Sequence, residues 1–376
     1  MIDFNQIQAQ LSAFGLYQSE ALIRKSHQLE EAVRIWRAYS GTDSPPDFPE
    51  PKKKELIARP VSPVSDVVSP VPRPAVVTVA ATDGSQVFPD HHIEPACYLV
   101  QISHIAFQYG TQERALMRAH AELRYRDQDA KEFGYSEDNI RADWVSAVRD
   151  VRELSALFQL SVGVQVSERP IVALSDGTLI RWMLSELKNE ALQHAVLKHY
   201  RAVLDQFQEA AIPLASYISQ PNTTEVRNLL ARVGGVSLDA LNDRHIFAHV
   251  LQAGERSALF ASSSHVLREY GPAQQIVFFY LKVPERGVHT EVARVELPMW
   301  VAEHPAWVSL IHSVILDQAE KGNGYPIALS EAHEKAVIRQ HEKDIFYRLL
   351  DKQLRKAGLG HLAMSRKQSA KNRPAV

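Results

Sequence analysis

Cysteine is nearly absent from this sequence, since Cys97 is the single cysteine among 376 residues. One cysteine excludes an intrachain disulfide framework and any zinc site that needs several thiolates. Long apolar runs are also missing, because no stretch reaches the roughly 18 residues that a membrane-spanning helix needs. The first residues lack a basic start followed by an apolar core, which is the pattern of a secretory signal peptide. We therefore expect a cytoplasmic protein without a membrane partner.

An excess of charge of one sign is absent as well. The chain has 42 Lys and Arg against 44 Asp and Glu, for a formal net charge of -2. A nucleic-acid partner therefore requires a local basic patch and does not follow from bulk charge. The phosphate-binding pattern G-x-x-x-x-G-K-S/T is missing, which excludes ATP hydrolysis of the P-loop type. Ser85 follows Asp-Gly and does not lie in a nucleophile elbow, which argues against a serine hydrolase.

Proline is concentrated in one segment, which suggests how the chain is divided. Nine of its 20 prolines lie between Pro45 and Pro74. Proline fixes φ and removes a backbone donor, so residues 41–75 are predicted to form an extended linker without packed elements. Residues 1–40 precede it with apolar positions at helical spacing. We predict an N-terminal helical segment (1–40), this linker, a main domain (76–350) and a basic tail (351–376).

The main domain alternates between strand and helix patterns. β-branched and apolar runs predict strands near 76–81, 96–109, 115–126, 170–174 and 214–219. Helical stripes near 136–160 and 183–210 separate the later strands, and closing helices are predicted at 304–320 and 328–356. This order predicts an α/β fold with a mixed sheet flanked by helices.

Two Asp-Gly pairs carry the clearest chemical signal. Asp83-Gly84-Ser85 and Asp176-Gly177-Thr178 each follow an apolar strand directly. If the two strands are adjacent, both carboxylates emerge at one sheet edge, where a divalent cation would offset their repulsion. The glycines would let the backbone turn sharply and leave room beside the cation. Asp-Gly is also an ordinary turn dipeptide, so a plain turn is the alternative at each place.

Two further side chains are candidate ligands. Glu153 flanks the apolar stripe of the helix predicted between the two aspartates, although pairing with Arg149 at i,i+4 would also explain it. His333 follows Gly324-Tyr325-Pro326 and is predicted to begin a helix with Val337 and Ile338 on its apolar side. A neutral imidazole suits a metal such as manganese, and it can also move a proton. A histidine bonded to a carbonyl at a helix start is the simpler interpretation of His333.

Several sequence blocks, in matching order over roughly residues 76–350, resemble the NurA nuclease family. The blocks are Val79–Gln86, Pro89–His91, Ala173–Ile180, Tyr217–Ser219, Gly254–Ser257, Gly324–Leu329 and Ala332–Glu334. The paired Asp-Gly blocks are moderately specific, and they become more specific together with the Gly-Tyr-Pro and Ala-His-Glu blocks. Asp90-His91-His92 also spells the triplet of DHH phosphoesterases, but the earlier aspartate cluster of that family is not found.

The resemblance implies an RNase H-like fold and Mn²⁺- or Mg²⁺-dependent cleavage of DNA. It implies 5'-3' exonuclease and single-strand endonuclease activity in a homodimer, which works with a HerA-type hexameric ATPase in DNA end processing and double-strand break repair. By the family pattern, Asp83, Glu153, Asp176 and His333 bind the metal, and Tyr217 has a positioning role. Asp150, three residues before Glu153, is an alternative for the helix carboxylate. No cofactor site besides the metal is implied.

Two rival functions stay open at the level of sequence. The same fold could serve as a non-catalytic dimeric adaptor that docks on a DNA-translocating ATPase. Clustered carboxylates argue against this role, because negative charge beside a DNA path gives a scaffold no benefit. A nuclease that acts on RNA or small nucleotides is the second rival, since the contacts that recognise a 2'-hydroxyl are not visible in sequence.

Overall fold

A computed structural model describes residues 4–39, 55–89, 96–134, 140–182, 189–284 and 291–358. The chain divides into two compact units. The first unit comprises Met1–Pro74, Gly177–Ile180 and Leu214–Ile327, and the second comprises Ala75–Asp176, Arg181–Pro213 and Ala328–Val376. Each unit therefore gathers segments that are far apart in the sequence.

The second unit contains a mixed sheet. Its strands are β3 (Val77–Thr82), β4 (Gly84–Val87), β5 (Cys97–Tyr109), β6 (Leu116–Tyr125) and β7 (Ile171–Asp176). Strand β3 pairs in parallel with β7 and antiparallel with β5. Strand β5 also pairs antiparallel with β4 and β6. All six residues of β3 are buried, as expected for a central strand with both faces covered.

The second unit also contains helices. They are α2 (Arg126–Phe133), α3 (Ala142–Val164), α4 (Glu190–Glu209), α9 (Ile327–Ala336) and α10 (Gln340–Lys356). The first residue of α9, Ile327, falls in the first unit. Helix α3 packs against β3, β4, β5 and β7, and also against α4. The apolar stripe predicted for this helix faces the core, because Trp144, Val148, Val151 and Leu154 are buried.

The first unit has its own strands and core. The strands are β1 (Arg59–Pro60), β2 (Val67–Val68), β8 (Leu214–Ser219), β9 (Arg256–Ser257), β10 (Phe260–Ala261), β11 (Ile276–Val283) and β12 (Glu291–Pro298). The helices are α1 (Phe4–Ala38), α5 (Glu225–Gly234), α6 (Asp243–Val250), α7 (Met299–Ala302) and α8 (Pro305–Lys321), with a short 3-10 helix at His265–Glu269. The C-terminal part of α1 packs in this core through Ile35 and Trp36.

The described part of the proline-rich segment is packed. Ile57, Ala58 and Val64 are buried in the core of the first unit, and β1 and β2 pair with β10 and β9. This packing differs from the extended linker that the proline content predicts over 41–75. Apolar residues between the prolines provide the reason, because each one buried removes nonpolar surface from water.

The α/β fold class that the sequence predicts is confirmed. The single closing helix predicted over 328–356 is wrong, because α9 and α10 are separated at residues 337–339. Helix α10 starts at its own cap, where the Arg339 backbone N–H donates to a Glu342 carboxylate oxygen at 2.7 Å. Within the described ranges, no helix is both long and apolar enough to cross a membrane.

Candidate functional site

Strand pairing places the two predicted aspartates beside each other. In the parallel pair β3–β7, Thr82 is the register partner of Ser175. Asp83 and Asp176 are the next residues on these strands, and neighbouring strands lie ~4.8 Å apart. The side chain of Asp83 is 18% exposed. Asp176 is exposed to solvent. Two residues that are 93 positions apart in sequence thus lie beside each other on neighbouring strands.

The backbone does not turn at Asp83. Strands β3 and β4 keep one continuous register with β5, since Ala81 pairs with Ile105 and Gly84 with Ile102. Between them the Ser103 N–H donates to the Asp83 carbonyl oxygen at 2.9 Å. The predicted sharp turn at Gly84 is therefore wrong. Gly177 does adopt the left-handed conformation, with φ of +75°, as the turn prediction requires there.

Gly84 instead allows close approach of helix α3. A Cβ atom at this position would lie 2.9 Å from the Arg149 Cγ and 3.0 Å from the Glu153 Oε2. The Thr82 hydroxyl also donates to the Glu153 carbonyl oxygen at 3.1 Å, which ties the helix to β3. The absent side chain thus brings the Glu153 carboxylate against the strand, next to Asp83.

The surroundings of Glu153 disfavour the ionised form of its carboxylate. Burial, together with the negative charges of Asp83 and Asp150, raises the pKa of Glu153 to about 8, although Arg181 and Arg149 oppose the shift. Desolvation and like charge both disfavour the ionised carboxylate. A cation at this place would stabilise the ionised form. The raised pKa therefore indicates that the two nearby arginines do not supply enough positive charge to stabilise the ionised Glu153 carboxylate.

Asp150, the alternative helix carboxylate, has other partners. Its Oδ1 accepts from Arg149 Nη2 at 2.9 Å, and its Oδ2 accepts from Arg181 Nη1 at 3.3 Å. Both oxygens are thus engaged by guanidinium groups. The structure therefore favours Glu153 over Asp150 as the helix carboxylate that approaches Asp83.

His333 reaches Asp83 from helix α9. Its Nδ1 lies 2.9 Å from Asp83 Oδ2, and its side chain is 64% exposed. The predicted position at the start of a helix is wrong, because His333 lies in the last turn of α9, before Val337 and Ile338. Side chains of the sheet hold this helix end: the Ser85 hydroxyl and the Gln101 amide both donate to the Ala336 carbonyl oxygen.

Tyr217 belongs to the first unit and lies on β8. It is buried, its hydroxyl donates to the Gly324 carbonyl oxygen at 3.4 Å, and its ring contacts Tyr325 edge to face. The Tyr217 carbonyl oxygen accepts from the Gly177 N–H at 3.0 Å. Tyr217 thus supports the segment that follows Asp176. Asp90 and His91, which form part of one family block, lie outside the described residues.

The donors fit a divalent cation by type and by backbone position. Carboxylate oxygens and an imidazole nitrogen together suit manganese or magnesium. As the side chains are placed, no group of three or more His, Cys, Asp or Glu among the described residues is close enough to hold an ion. Ligation by the full set would therefore require these side chains to come closer together than they lie here.

Sequence reasoning missed some residues around these carboxylates. Arg181 bonds Asp150, and its guanidinium stacks over Tyr200 with 4.6 Å to the ring centroid. Ser103 donates through its hydroxyl to the same Asp83 carbonyl that its N–H contacts. No local pattern marks Arg181 or Ser103, because their contacts are distant in sequence. Arg149 had such a signal, since it precedes Glu153 by one helical turn.

Several solved structures are similar to this chain. The crystal structure of the NurA nuclease from Sulfolobus solfataricus is similar over 78% of this chain and 87% of that chain, with 14% identity and a TM-score of 0.50. A second NurA crystal structure matches 75% and 90% of the two chains, with 12% identity and a TM-score of 0.42. Endonuclease V from Bacillus subtilis matches 76% and 87%, with 9% identity and a TM-score of 0.34. The comparison with curated proteins gave no match.

The fold comparison rests on the Sulfolobus structure, whose TM-score is the highest of these three. The RNase H-like fold is thereby confirmed. Asp83 directly follows β3, and Asp176 ends β7. The family model described as the NurA domain matches residues 77–338, most of the chain. This chain therefore belongs to the NurA family, and that membership supports a nuclease role.

Proposed function

We propose that this protein is a divalent-metal-dependent nuclease that hydrolyses phosphodiester bonds of DNA. The observation that carries the proposal is the register of β3 with β7, which sets Asp83 beside Asp176 while Glu153 approaches Gly84 from α3. Carboxylates brought together from two neighbouring strands and a helix repel one another, and a divalent cation offsets such repulsion. A merely structural role gives no reason for this crowding.

In the proposed site, Asp83, Glu153, Asp176 and His333 would hold Mn²⁺ or Mg²⁺. A cation bound there would supply positive charge beside the phosphate and would lower the pKa of water. Asp83 accepts from His333 Nδ1 when that atom carries the proton, which leaves Nε2 either to ligate the cation or, as the alternative role, to take or give a proton beside the phosphate. Arg149 and Arg181 add positive charge on the helix side. Tyr217 orders the chain after Asp176 through its carbonyl oxygen.

The finer parts of the proposal are carried over from the family. We propose 5'-3' exonuclease and single-strand endonuclease activity, a homodimer, and joint action with a HerA-type hexameric ATPase in DNA end processing and double-strand break repair in the cytoplasm. The division into a helical segment (1–40), a nuclease domain (76–350) and a basic tail (351–376), with residues 41–75 between the first two, is likewise a proposal. The tail has seven Lys or Arg and no acid from Lys352 onward, a composition that suits contact with phosphates.

The test is digestion of end-labelled linear and single-stranded DNA with Mn²⁺, with Mg²⁺ or with a chelator. We expect cleavage that depends on metal and falls at least about 100-fold in Asp83→Ala and in Asp176→Ala, because each removes a ligand. Asp127→Ala is the matched control. This exposed aspartate on α2 undergoes the same chemical change and is expected to cleave like the wild type.

Two results would contradict the proposal in different ways. A wild-type protein that cuts neither substrate, even with a HerA-type ATPase added, would favour the adaptor function. Cleavage that survives both Asp83→Ala and Asp176→Ala would show that other residues hold the metal. Cleavage of RNA at the rate of DNA would move the substrate class to nucleic acids in general.

A further inference from the structure

Strand β6 exposes its apolar face. Apolar residues occupy every odd position, and four of the five even positions are charged or are histidine. The odd residues are Met117, Ala119, Ala121, Leu123 and Tyr125; the even ones are Leu116, Arg118, His120, Glu122 and Arg124. Met117, Leu123 and Tyr125 are 38%, 41% and 42% exposed, and both alanines are exposed. Arg124 on the polar face is buried. Arg118 and His120 on that face are exposed as well, so the centre of β6 is open on both faces and its apolar face is not covered by the described residues.

The outer edge of the same strand is long. Strand β6 pairs with β5 over ten residues, from Leu116 opposite Ala106 to Tyr125 opposite Cys97. Within the part of the chain that the structure describes, β5 is the strand that pairs with β6. The other edge of β6 therefore offers a row of backbone N–H and C=O groups. Such an edge beside an apolar face is a template for another strand.

Charge along β6 indicates that the matching strand is β6 of a second copy. Two copies related by a two-fold axis perpendicular to the sheet pair antiparallel and keep each face on the same side. An axis at His120 sets Arg118 opposite Glu122 of the second copy, twice by symmetry. It also sets Met117 opposite Leu123, and Ala119 opposite Ala121. Opposite charges across an antiparallel pair are favourable.

Neighbouring registers are less favourable. An axis at Ala121 would set Arg118 opposite Arg124, and an axis at Ala119 would set Arg118 opposite His120 and Glu122 opposite Leu116, so neither register pairs Arg118 with a carboxylate. Like charges directly opposite each other destabilise a strand pair. Glu122 remains accessible for the favoured register, because its side chain is 37% exposed while Arg124 and Arg152 both bond its Oε1.

We propose that β6 pairs edge to edge with β6 of a second copy of this chain, antiparallel and centred on His120. The paired strands would join the two sheets and make one continuous apolar surface from the odd-numbered residues. The proposal specifies the surface of the homodimer named under the proposed function. Its readouts are mass and cross-linking, so it stands or fails separately from nuclease activity.

Mass in solution tests the surface. By light scattering we expect twice the 42.3 kDa of one chain for the wild type, and the mass of a single chain for Leu123→Glu. A charge at position 123 disrupts the apolar row twice in each dimer. Val166→Glu is the matched control, since Val166 is 48% exposed and lies outside β6, and this variant should stay dimeric. A monomeric wild type, or a dimeric and folded Leu123→Glu, would overturn the proposal.

Cysteine cross-linking tests the register without disturbing the fold. In a Cys97→Ser background, His120→Cys should form an intermolecular disulfide, because paired Cα atoms lie about 4.5–5.5 Å apart. Met117→Cys should not cross-link to itself, since its two copies would be offset by six residues at ~3.4 Å each, ~20 Å in all. A mixture of Met117→Cys and Leu123→Cys chains should cross-link as heterodimers. Self-cross-linking of Met117→Cys would indicate another register and overturn the inference.

Discussion

Position 84 cannot carry a side chain without moving its neighbours. A Cβ atom there would lie 2.9 Å from Arg149 and 3.0 Å from both Glu153 and Ile102. The backbone of Gly84 is ordinary strand within β4, so the demand for glycine is steric. Sequence reasoning identified the residue but assigned it to a turn. The close approach depends on α3 crossing β4, which no local pattern reveals.

We therefore predict that Gly84→Ala lowers cleavage while every proposed ligand is retained. The added methyl group pushes the Glu153 carboxylate away, and a displacement of about 1 Å can cost 10- to 100-fold in rate. The rate of DNA cleavage at saturating Mn²⁺ is the measurement. Gly163→Ala on α3 is the control, because nothing lies within 4 Å of its Cβ position. Unchanged cleavage by Gly84→Ala would argue against Glu153 at the site.

A second prediction at this scale separates Glu153 from Asp150. Glu153→Gln should lower cleavage at least about 100-fold, because an amide cannot replace an anionic ligand. Asp150→Asn should cost about 10-fold or less, because it loosens Arg149 and Arg181 without removing a ligand. Cleavage rates over a Mn²⁺ titration would compare the two variants. A larger loss for Asp150→Asn than for Glu153→Gln would exchange their assigned roles.

At the scale of elements, β12 anchors the segment that follows Asp176. Glu296 Oε2 accepts from the Thr178 hydroxyl and from the Leu179 N–H, both at 2.8 Å. Arg294 bonds Glu296 and Glu225, each at 2.8 Å, and all three side chains are buried. The nearby carboxylates raise the pKa of Arg294 further above its ordinary value. One buried guanidinium is therefore shared by two buried carboxylates.

Removal of this guanidinium should destabilise the protein strongly. We predict that Arg294→Met lowers the free energy of unfolding by about 3–5 kcal/mol, because it leaves buried carboxylates without a counter-charge. Urea denaturation followed by circular dichroism would measure the loss. Arg34→Met is the control, because Arg34 pairs with Glu31 on the exposed surface of α1 and should change stability little. Equal stability of the two variants would contradict this account.

At the scale of the whole molecule, stability should fall in acid. Burial lowers the pKa of His312 to about 4, and the charge of Arg256 adds to the shift, while a hydrogen bond to the Gly254 carbonyl opposes it. The folded state therefore takes up this proton at lower pH than the unfolded state does. The contribution to stability is complete above about pH 6.5 and is lost as the pH falls toward 4.

The expected loss from His312 is about 3 kcal/mol between pH 7 and 4. Urea denaturation at several pH values would compare the wild type with His312→Gln. The glutamine amide can donate to the Gly254 carbonyl but does not titrate, so the variant should lose less stability in acid. A variant that loses as much as the wild type would show that other groups dominate the acid response.

The sequence by itself determined the α/β class, the main strands and the two aspartates. Continuous β-branched runs such as Val76–Val79 predict buried strands, and the Asp-Gly pairs mark where carboxylates follow them. These signals are local, because hydrophobic spacing and turn chemistry depend on nearby residues. The order of strands and helices then limits the possible topologies to a few, so the fold class could be predicted.

The tertiary structure decided which residues meet. Only the register of β3 with β7 sets Asp83 beside Asp176, and only the crossing of α3 selects Glu153 over Asp150. His333 lies in the last turn of α9 and not at the start of a helix, and its Nδ1 contacts Asp83 Oδ2. Contacts between residues 70 to 250 positions apart depend on how whole elements pack, and packing energy is summed over surfaces that no short sequence window contains.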